Sequence, residues 1–346
     1  MSKVFKFGGA SVKNPKAIYN LKEIVSSYKE NLVIVISAID KTTNKLELVW
    51  KSYLGNETLK STEIATEIIK FHKTIIDDLE LNNNAGFLKL FNNLALELVD
   101  YIGAKTKQEN NISYSKIVSF GELFSTLIIS SYLNKEGVEN KWLDAREFIK
   151  TSKSVTESRV NWKETERKIK STLKKDKTYL TQGFIGSNLN GETTTLGREG
   201  SDFSAAIFAW SMDAQEVIIW KDVDGLLNAD PKWFDKTQIL KKISFKEAIE
   251  LSYLGASVIH PNTVKPLENK NISLTIRSFI KKKHEGSSIS KVGKDDKSIP
   301  SVIYKPNQIL FSISSKDYSF IFEKHISDIF SIFSETGLKV HLMQNS

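Results

Sequence analysis

The stretch Thr193-Thr-Thr-Leu-Gly-Arg-Glu-Gly-Ser-Asp202 separates two runs of different periodicity. The run before it, Thr178 to Ile185, is apolar and predicts a strand. The run after it predicts a helix, because its apolar residues recur at i, i+3, i+4 and i+7. Ser201 is a favourable N-cap, and Asp202 a favourable carboxylate in the first turn. A strand, a hydroxyl-rich loop with Arg198 and a helix N-terminus predict an α/β fold with an anion site; a flexible polar loop with an ordinary cap is the alternative.

Length and composition limit the classes of protein that fit this sequence. The 346 residues are 40% hydrophobic, enough for one large domain or two smaller ones. Cysteine is absent, which excludes disulfides and thiolate metal sites and fits a reducing compartment. We therefore expect a cytoplasmic protein.

The charge pattern and the apolar runs bear on nucleic acids and membranes. The net charge of +8 comes from 49 basic and 41 acidic residues that are spread along the chain, with one cluster at residues 281–283. We interpret this excess as solvated surface rather than a nucleic-acid site. No apolar run reaches the roughly 18 residues that span a bilayer, and no signal-peptide pattern precedes the first strand, so no membrane partner is expected.

The first residues predict a second phosphate site. Val4 to Phe7 predicts a strand, Gly8-Gly9 a turn, and Pro15 to Tyr28 a helix with proline near its start. Lys6 at the end of this strand can neutralise a phosphate. A lysine on a wet strand face and an ordinary tight turn are the alternatives.

Two further candidates follow predicted strands. The apolar run Leu32 to Ser37 predicts a strand buried on both faces, and ligands lie beyond the carboxyl ends of such strands, where Thr43 follows. Thr43 can contact a ligand or cap the next helix. Ile117 to Phe120 predicts a short strand, followed by Glu122 and a helix from Leu123 to Leu133. Glu122 can bind a ligand ammonium or complement the helix dipole.

A loop rich in aspartate follows another predicted strand, Glu216 to Trp220. Asp222, Asp224 and Asp230 lie within nine residues of one another. These carboxylates can approach a metal, or the ribose and phosphates of a nucleotide. Turn formation at Asp-Gly and Asp-Pro explains them equally well.

The remaining patterns predict the domain organisation. Residues 60–108 predict a helical insertion, and Lys281 to Lys297 a polar linker. A β-α-β pattern follows, with strands at Gln308 to Ser314 and Lys339 to Met343 around a helix at Phe320 to Phe333. A unit this small exposes too much apolar surface to be a complete domain, so we expect a shortened domain or one that needs a partner chain.

Six segments in one order resemble the aspartate kinases of the amino-acid kinase superfamily. The tail resembles the first half of an ACT domain, of which that family usually carries two as its amino-acid sensor. The matches span about residues 3 to 290, and six in register are far more specific than any one alone. The six segments are Lys6–Val12, Ser119–Glu122, Gln182–Gly186, Thr193–Asp202, Lys221–Pro231 and Gly255–Pro261.

The resemblance implies a fold and an activity. The fold is a three-layer α/β/α sandwich with a mainly parallel central sheet over residues 1–298, with a helical insertion at about 45–110, followed by a partial ACT (ferredoxin-like) β-α-β segment over 299–346. The activity is ATP- and Mg²⁺-dependent phosphorylation of the side-chain carboxylate of L-aspartate to 4-phospho-L-aspartate, the first step toward lysine, threonine and methionine. It also implies a homodimer, weakened by the incomplete ACT region.

The resemblance also assigns roles to residues. Lys6 neutralises the transferring phosphoryl group and Asp202 orients Lys6, while Arg198 clamps a substrate carboxylate and Glu122 holds the substrate ammonium. Mg²⁺ is held chiefly by ATP phosphates, so no protein ligand is assigned to it. Substrate contacts are also assigned to Thr43, Phe184 and Ser201, and nucleotide contacts to Lys6, Gly8, Gly9, Ser11, Lys221, Asp222, Leu227, Lys232 and Ser257.

The sequence departs from the family pattern at several positions. Ala10 stands where threonine is usual, and Glu199 where glycine is common. Lys221 and Leu227 replace the usual threonine and tyrosine of the nucleotide loop. Ser257 stands where many members have a lysine that helps to bind ATP. We hypothesise that Lys221 supplies this missing cation.

Two alternatives compete with an aspartate kinase. One is a relative that phosphorylates glutamate, carbamate or a nucleoside monophosphate, and the other is a regulatory or nucleotide-binding homologue with weak catalysis. The pair of Arg198 and Glu122 favours an amino-acid substrate, and the ACT-like tail favours aspartate. Neither a P-loop motif nor the catalytic loop of protein kinases is present.

Overall fold

A computed structural model describes residues 3–28, 30, 32–104, 109–152, 159–174, 176–254, 259–314 and 323–344. The chain forms two compact units, Met1–Val302 and Ile303–Ser346. The assignment of the second unit to an ACT domain stays a prediction. The first unit contains the residues assigned to the active site.

A mainly parallel sheet of eight strands forms the centre of the first unit, and two small antiparallel pairs, β5–β6 and β8–β9, lie outside it. The order in the large sheet is β10-β12-β11-β7-β1-β2-β4-β3, with β11 and β12 antiparallel to each other and the other neighbours parallel. The strands are β1 (Lys3–Phe7), β2 (Leu32–Ile36), β3 (Lys141–Leu143), β4 (Tyr179–Gln182), β5 (Ile185–Ser187), β6 (Thr193–Thr195), β7 (Glu216–Lys221), β8 (Leu226–Leu227), β9 (Ile239–Leu240), β10 (Lys242–Ser244), β11 (Ser273–Ser278) and β12 (Ser287–Ser290).

Helices cover both faces of the sheet, which confirms the predicted α/β class. They are α1 (Pro15–Ser26), α2 (Thr42–Leu54), α3 (Thr58–Asp78), α4 (Ala85–Gly103), α5 (Asn110–Lys135), α6 (Ala145–Phe148), α7 (Trp162–Thr172), α8 (Gly200–Met212), α9 (Phe245–Leu254), α10 (Pro261–Asn269) and, in the second unit, α11 (Glu323–Glu335). A short 3-10 turn, Gly9–Val12, follows β1.

The side chains of strand β1 alternate between the two faces of the sheet. Phe5 and Phe7 point to one face, where their rings pack against Trp220 of β7. Because side chains alternate along a strand, Lys6 points to the opposite face. Helix α8 packs against β1, β2 and β7 on that face. The alternation within five residues therefore places a buried lysine under a buried helix.

Helix α5 corrects the prediction for residues 117–133. The predicted strand Ile117 to Phe120 is part of a continuous 26-residue helix that begins at Asn110 and ends at Lys135. This helix is buried on nearly all sides, so its short apolar run has no helical periodicity and resembles a buried strand. Among the described residues, α5 is the one helix long and apolar enough to cross a membrane, and it is mostly buried as a core helix.

The predicted helical insertion matches α3 and α4, with residues 105–108 outside the described part. His72 lies buried in α3 between the rings of Phe71 and Phe124. Its Nδ1 lies 2.8 Å from the carbonyl oxygen of Ile68. Burial lowers its pKa to about 4. His72 is therefore a neutral core residue.

The predicted linker Lys281 to Lys297 is wrong. It contains β12, which pairs with β11 and β10 and completes that edge of the sheet. Asp295 and Asp296 fix the segment further by accepting the backbone N–H groups of Lys242 and Ser244 at 2.9 Å. Its polar composition hid the strand because β12 consists mainly of serine.

The second unit corrects the predicted β-α-β tail. Helix α11 is present, but residues 308–314 and 339–343 form no strand. None of the residues of α11 is buried. Phe311 and Phe333 form an edge-to-face contact with ring centroids 5.6 Å apart. A strand is stable only when a neighbour pairs with its backbone, and the described residues of this unit supply none.

Candidate active site

Several chain segments meet at the carboxyl end of the central strands. The N–H of Ser37 donates to Phe7 at 3.1 Å, and that of Gly183 to Ile36 at 2.9 Å, so the ends of β1, β2 and β4 are adjacent. Ser125 of α5 donates its hydroxyl to the carbonyl of Ser37 at 2.7 Å. This is the position at which open α/β sheets bind ligands.

The N-terminal half of α8 approaches this edge very closely. A Cβ atom on Gly183 would lie 2.5 Å from the Cβ of Ser201, so only glycine fits between β4 and the helix. Phe184 adopts a left-handed conformation with φ of 70°, held by an N–H bond of 2.9 Å to the hydroxyl of Ser204. Ser204 in turn donates to the carbonyl of Gly200 at 3.0 Å. Sequence reasoning missed Ser204 because a helical serine resembles an ordinary surface residue.

The N-cap of α8 is Glu199 rather than Ser201. The helix begins at Gly200, and Glu199 has a left-handed backbone with φ of 53° and no side-chain cap bond. Its carbonyl accepts the N–H groups of Asp202 and Phe203 at 3.0 and 3.1 Å. Ser201 lies buried in the first turn. The N–H of Gly200 donates to the carbonyl of Gly197 at 3.1 Å, so the N–H of Ser201 remains at the amino end of the helix, where an anion is favoured.

Asp202 links the helix to two strands through two lysines. The Nζ of Lys6 in β1 lies 2.6 Å from its Oδ1, and the Nζ of Lys221 at the end of β7 lies 3.2 Å from its Oδ2. Asp202 is fully buried, and the side chain of Lys6 is 7% exposed. The predicted contact between Lys6 and Asp202 is therefore present, and Lys221 joins it.

The two lysines keep Asp202 ionised. Burial opposes its charge, but the attraction of Lys6 and then of Lys221 outweighs burial and holds its pKa below the ordinary value. The cluster therefore carries two cations and one anion, with Asp202 and Lys6 buried and Lys221 partly exposed. A net positive charge at a helix N-terminus attracts phosphate oxygens.

Glu122 is a second buried carboxylate, in the middle of α5. Burial raises its pKa to about 8, and hydrogen bonds from its own backbone and that of Ala38 oppose this rise only in part. Its Oε2 has no hydrogen-bond partner in the described part of the chain. A buried carboxylate without a cation is the group that a substrate ammonium would complete.

Arg198 lies in the loop that precedes α8. Arg198 is exposed and makes no hydrogen bond or ion pair within the described ranges. Burial and the charge of Arg198 lower the pKa of His260, and Glu199 opposes them, so these three groups are within electrostatic reach of one another. His260 also caps α10 through its Nδ1, which accepts the N–H of Asn262 at 3.2 Å. Thr43 lies half-buried in the first turn of α2.

The glycine turn after β1 lies beside the lysine. A Cβ on Gly8 would be 3.4 Å from the Nζ of Lys6, and a Cβ on Gly9 would be 2.9 Å from the carbonyl oxygen of Asp40. The backbone therefore stays close to the ammonium group, and a side chain at residue 9 would displace the next loop. The hydroxyl of Ser11 is buried and donates to the carbonyl of Trp220 at 3.2 Å, so its side chain braces the turn.

The other residues assigned to the nucleotide lie outside the lysine cluster. Asp222 and Lys232 are exposed, and Leu227 is half-buried in the β8–β9 pair. The N–H of Lys232 donates to Asp230 at 2.9 Å, which supports the turn-forming explanation for that aspartate. Ser257 lies outside the described residues. The hypothesis that Lys221 replaces a cation at Ser257 stays a prediction.

The donor set fits Mg²⁺ that enters with a nucleotide. Within the described residues, no group of three or more His, Asp or Glu side chains is placed to hold a metal. Asp202, the carboxylate nearest the phosphate site, is engaged by Lys6 and Lys221. Mg²⁺ commonly takes most of its ligands from phosphates and water, which matches this arrangement.

Residues 1–278 match the family model of the amino acid kinase family. Chloroplastic aspartokinase 1 of Arabidopsis thaliana is 30% identical over 355 residues, covering 99% of this chain and 61% of that protein. Chloroplastic bifunctional aspartokinase/homoserine dehydrogenase 2 of the same plant is 34% identical over 308 residues, covering 86% of this chain and 33% of that protein. The chain thus spans from about one third to three fifths of the length of these curated relatives.

The fold is similar to solved aspartokinases. Aspartokinase III of E. coli in complex with lysine and aspartate (T-state) gives a TM-score of 0.82 at 28% identity, covering 99% of this chain and 77% of that chain. The same enzyme in complex with aspartate and ADP (R-state) gives 0.80 at 25% identity, covering 100% and 77%. The family match covers most of the chain, and the observed sheet and helices agree with it. The chain therefore belongs to the amino acid kinase family.

Proposed function

We propose that the chain is an aspartate kinase that transfers the γ-phosphoryl group of ATP to the side-chain carboxylate of L-aspartate. The observation that carries this proposal is the buried carboxylate of Asp202 shared by Lys6 and Lys221 at the N-terminus of α8. Phosphoryl transfer relies on positioned cations and oriented N–H groups more than on covalent chemistry. The similarity to aspartokinases in both sequence and fold supports aspartate as the acceptor.

The reaction suits the groups present. The acceptor oxygen is already a carboxylate at neutral pH, so no strong general base is required. That oxygen forms the new P–O bond as the bond between the γ-phosphorus and its bridging oxygen breaks, and ADP leaves with the electron pair. Lys6 offsets the negative charge of the transferring group, and the N–H groups at the start of α8 orient its oxygens. Bound Mg²⁺ supplies further charge neutralisation on the phosphates.

Glu122 supports an amino-acid acceptor over a nucleoside monophosphate or carbamate. A buried carboxylate whose Oε2 has no partner is matched by an ammonium group, which neither alternative acceptor carries. Arg198, exposed and unpaired among the described side chains, suits the α-carboxylate of the same substrate through bidentate hydrogen bonds. Glutamate carries the same two groups, so its discrimination from aspartate depends on the length of the pocket.

Four further proposals follow from the same resemblance. The pathway is the one that leads from aspartate to lysine, threonine and methionine, and the working location is the cytoplasm. The second unit is part of an ACT regulatory domain, and two chains associate as a homodimer. The exposed apolar residues of that unit, among them Leu310 at 94% exposed, support a partner for its surface.

An assay of both products tests the reaction class. ADP release is followed by a coupled enzyme assay in the presence of ATP, Mg²⁺ and L-aspartate. Parallel reactions contain L-glutamate in place of L-aspartate, or no acceptor. Hydroxylamine traps an acyl phosphate as a hydroxamate. We expect aspartate-dependent turnover and hydroxamate, both abolished in Lys6→Ala. Lys3→Ala is the matched control, because Lys3 lies at the other end of β1 and pairs with Glu216 at 3.6 Å.

The alternatives give different outcomes in the same assay. Hydroxamate with glutamate but not aspartate would identify a kinase of another small carboxylate. Clear ATP binding by calorimetry with no turnover would identify a regulatory homologue or a chain that needs further segments. Either result contradicts the proposed function.

A further inference from the structure

We propose that Lys221 is a second catalytic cation, which contacts the transferring phosphoryl group beside Lys6. In the ligand-free protein Lys221 faces Glu199, and it leaves this carboxylate when the phosphoryl group binds. The inference rests on the proposed function and deepens it, since it names the residue that stabilises the charge of the transition state. It also changes the hypothesis drawn from the sequence, in which Lys221 only helps to bind ATP.

The first argument is the position of Lys221 on the sheet. Lys6 is in register with Ile219 on the neighbouring parallel strand. Residues 219 and 221 point to the same face because side chains alternate, so Lys6 and Lys221 are diagonal neighbours under α8. Their ammonium groups lie 2.6 and 3.2 Å from the two oxygens of Asp202. One carboxylate therefore holds two lysines at the same site.

The second argument is the charge of this cluster. Asp202 is fully buried and ionised, and it balances only one of the two lysines. The second cation faces the amino end of α8, which adds a positive partial charge of its own. Within hydrogen-bond distance the cluster therefore has an excess of positive charge, which Glu199 at 4.0 Å from Lys221 offsets only weakly. The γ-phosphoryl group, whose negative charge spreads over three oxygens during transfer, is the anion that this excess fits.

The third argument is the position of Glu199. Its Oε2 lies 4.0 Å from the Nζ of Lys221, at the limit of an ion pair, and its side chain is 34% exposed. It therefore offers a weak counter-charge that an incoming phosphate can displace. Glu199 also has a left-handed backbone with φ of 53°, a conformation that glycine adopts at lower cost. The carboxylate stays at an unfavourable backbone position next to Lys221.

The chemistry requires no further reactant. The acceptor carboxylate forms a bond to the γ-phosphorus, the bond to the bridging oxygen breaks, and ADP leaves with the electron pair. Lys221 donates hydrogen bonds to phosphoryl oxygens and exchanges no proton with the reactants. Because the charge it stabilises increases in the transition state, its loss affects kcat more than the binding of ATP.

The test compares Lys221→Met and Lys221→Arg with the control Lys3→Met. Lys3 and Glu216 form a lysine–carboxylate pair between the same two strands at their amino ends. We expect Lys221→Met to lower kcat about 30- to 100-fold with less than a threefold change in the KM for ATP, as for the loss of a transition-state interaction. Lys221→Arg keeps the charge and recovers part of kcat, whereas Lys3→Met matches the wild type.

A binding measurement gives a readout apart from turnover. Calorimetry with ADP, Mg²⁺ and aluminium fluoride, a mimic of the transferring group, is compared with ADP and Mg²⁺ alone. In Lys221→Met we expect a loss of at least tenfold in affinity for the mimic and little change for ADP. In Glu199→Gln we expect ATP to bind about two- to fivefold more tightly, because a competing carboxylate is removed.

The outcomes separate the two proposals. A wild-type protein that forms no aspartyl hydroxamate overturns the proposed function and this inference with it. Wild-type turnover with an unchanged kcat in Lys221→Met overturns the inference alone. A rise confined to the KM for ATP also overturns it and leaves Lys221 as a nucleotide-binding residue. If Lys221→Met does not fold, Lys221→Arg and Glu199→Gln replace it in the binding measurement. The inference is then overturned if both variants have the wild-type ratio of affinity for the mimic to affinity for ADP.

Discussion

Two buried carboxylates at the same edge of the sheet differ in their partners. Asp202 is held by Lys6 and Lys221, and its pKa lies below the ordinary value although burial opposes this. No cation among the described residues pairs with Glu122, and burial raises its pKa to about 8. Burial is similar for both side chains, so the difference lies in the neighbouring charges. Under the proposed function, the phosphate half of the site is therefore already charged in the ligand-free protein, whereas the carboxylate of the ammonium half becomes charged when its ligand binds.

The largest effect is expected from Asp202→Asn, which removes the paired carboxylate without changing its size. Lys6 and Lys221 lose their common counter-ion, so we expect kcat to fall about 1,000-fold or more and the free energy of unfolding to fall by about 3 to 5 kcal/mol. The hydroxamate assay and urea denaturation measure the two effects. Asp224→Asn is the control, since Asp224 pairs with the exposed Lys281, and it should change neither quantity measurably.

The next effect concerns the stability of the ligand-free protein. The carboxyl of Glu122 holds its proton up to about pH 8 in the folded state, whereas in the unfolded chain it ionises near its ordinary value of 4.5. The folded state therefore binds more protons in this window, and stability decreases as the pH rises through it. Glu122→Gln removes this loss, so at pH 9 the variant should be more stable than the wild type by up to about 4 kcal/mol.

Denaturation of both proteins between pH 4 and 9 checks this sign. The two curves should meet near pH 4, where the carboxyl is protonated in both states, and should separate above about pH 5. A wild type that gains stability relative to Glu122→Gln as the pH rises would show that Glu122 has a cationic partner.

A smaller effect is expected on the affinity for the acceptor. If Glu122 binds the substrate ammonium, it must first lose its proton, so the affinity of the wild type for L-aspartate should rise about tenfold per pH unit up to about pH 8 and then level off. Glu122→Gln should bind about 30- to 100-fold more weakly at pH 8 and show no such rise. Calorimetry at pH 6 to 8.5 in the presence of ADP measures both, and a flat profile in the wild type would contradict the role of Glu122.

The smallest effect tests how the position of Asp202 is fixed. Gly183→Ala places a Cβ atom 2.5 to 2.7 Å from Ser201 and should shift the first turn of α8. We expect a loss of about 1 to 3 kcal/mol in the free energy of unfolding, with a fall in kcat. Gly103→Ala at the end of α4 is the matched control, because no atom lies within 4 Å of its added Cβ. Equal stability of the two variants would show that α8 does not rest on β4.

Local patterns predicted much of this fold. The strands at residues 3–7, 32–36 and 216–221 and helices α1 and α8 lie within a few residues of their predicted positions. The failures share one cause, since α5 is buried all round, β12 is nearly all serine, and the tail strands lack neighbours. In each case periodicity is weak or misleading, and contacts with distant segments decide the structure.

The sequence by itself determined that this chain has an α/β fold and a lysine, a glycine turn and a helix N-terminus suited to phosphate, because these depend on residues close together in the chain. Only the tertiary structure decided that Lys6 and Lys221 share Asp202 and that the Oε2 of Glu122 has no hydrogen-bond partner among the described residues. These are distances between segments far apart in sequence, and they follow from the strand order β7-β1-β2 and the packing of α8 across it. The charge state of each carboxylate is therefore a property of the assembled sheet edge, since burial and neighbouring cations set its pKa.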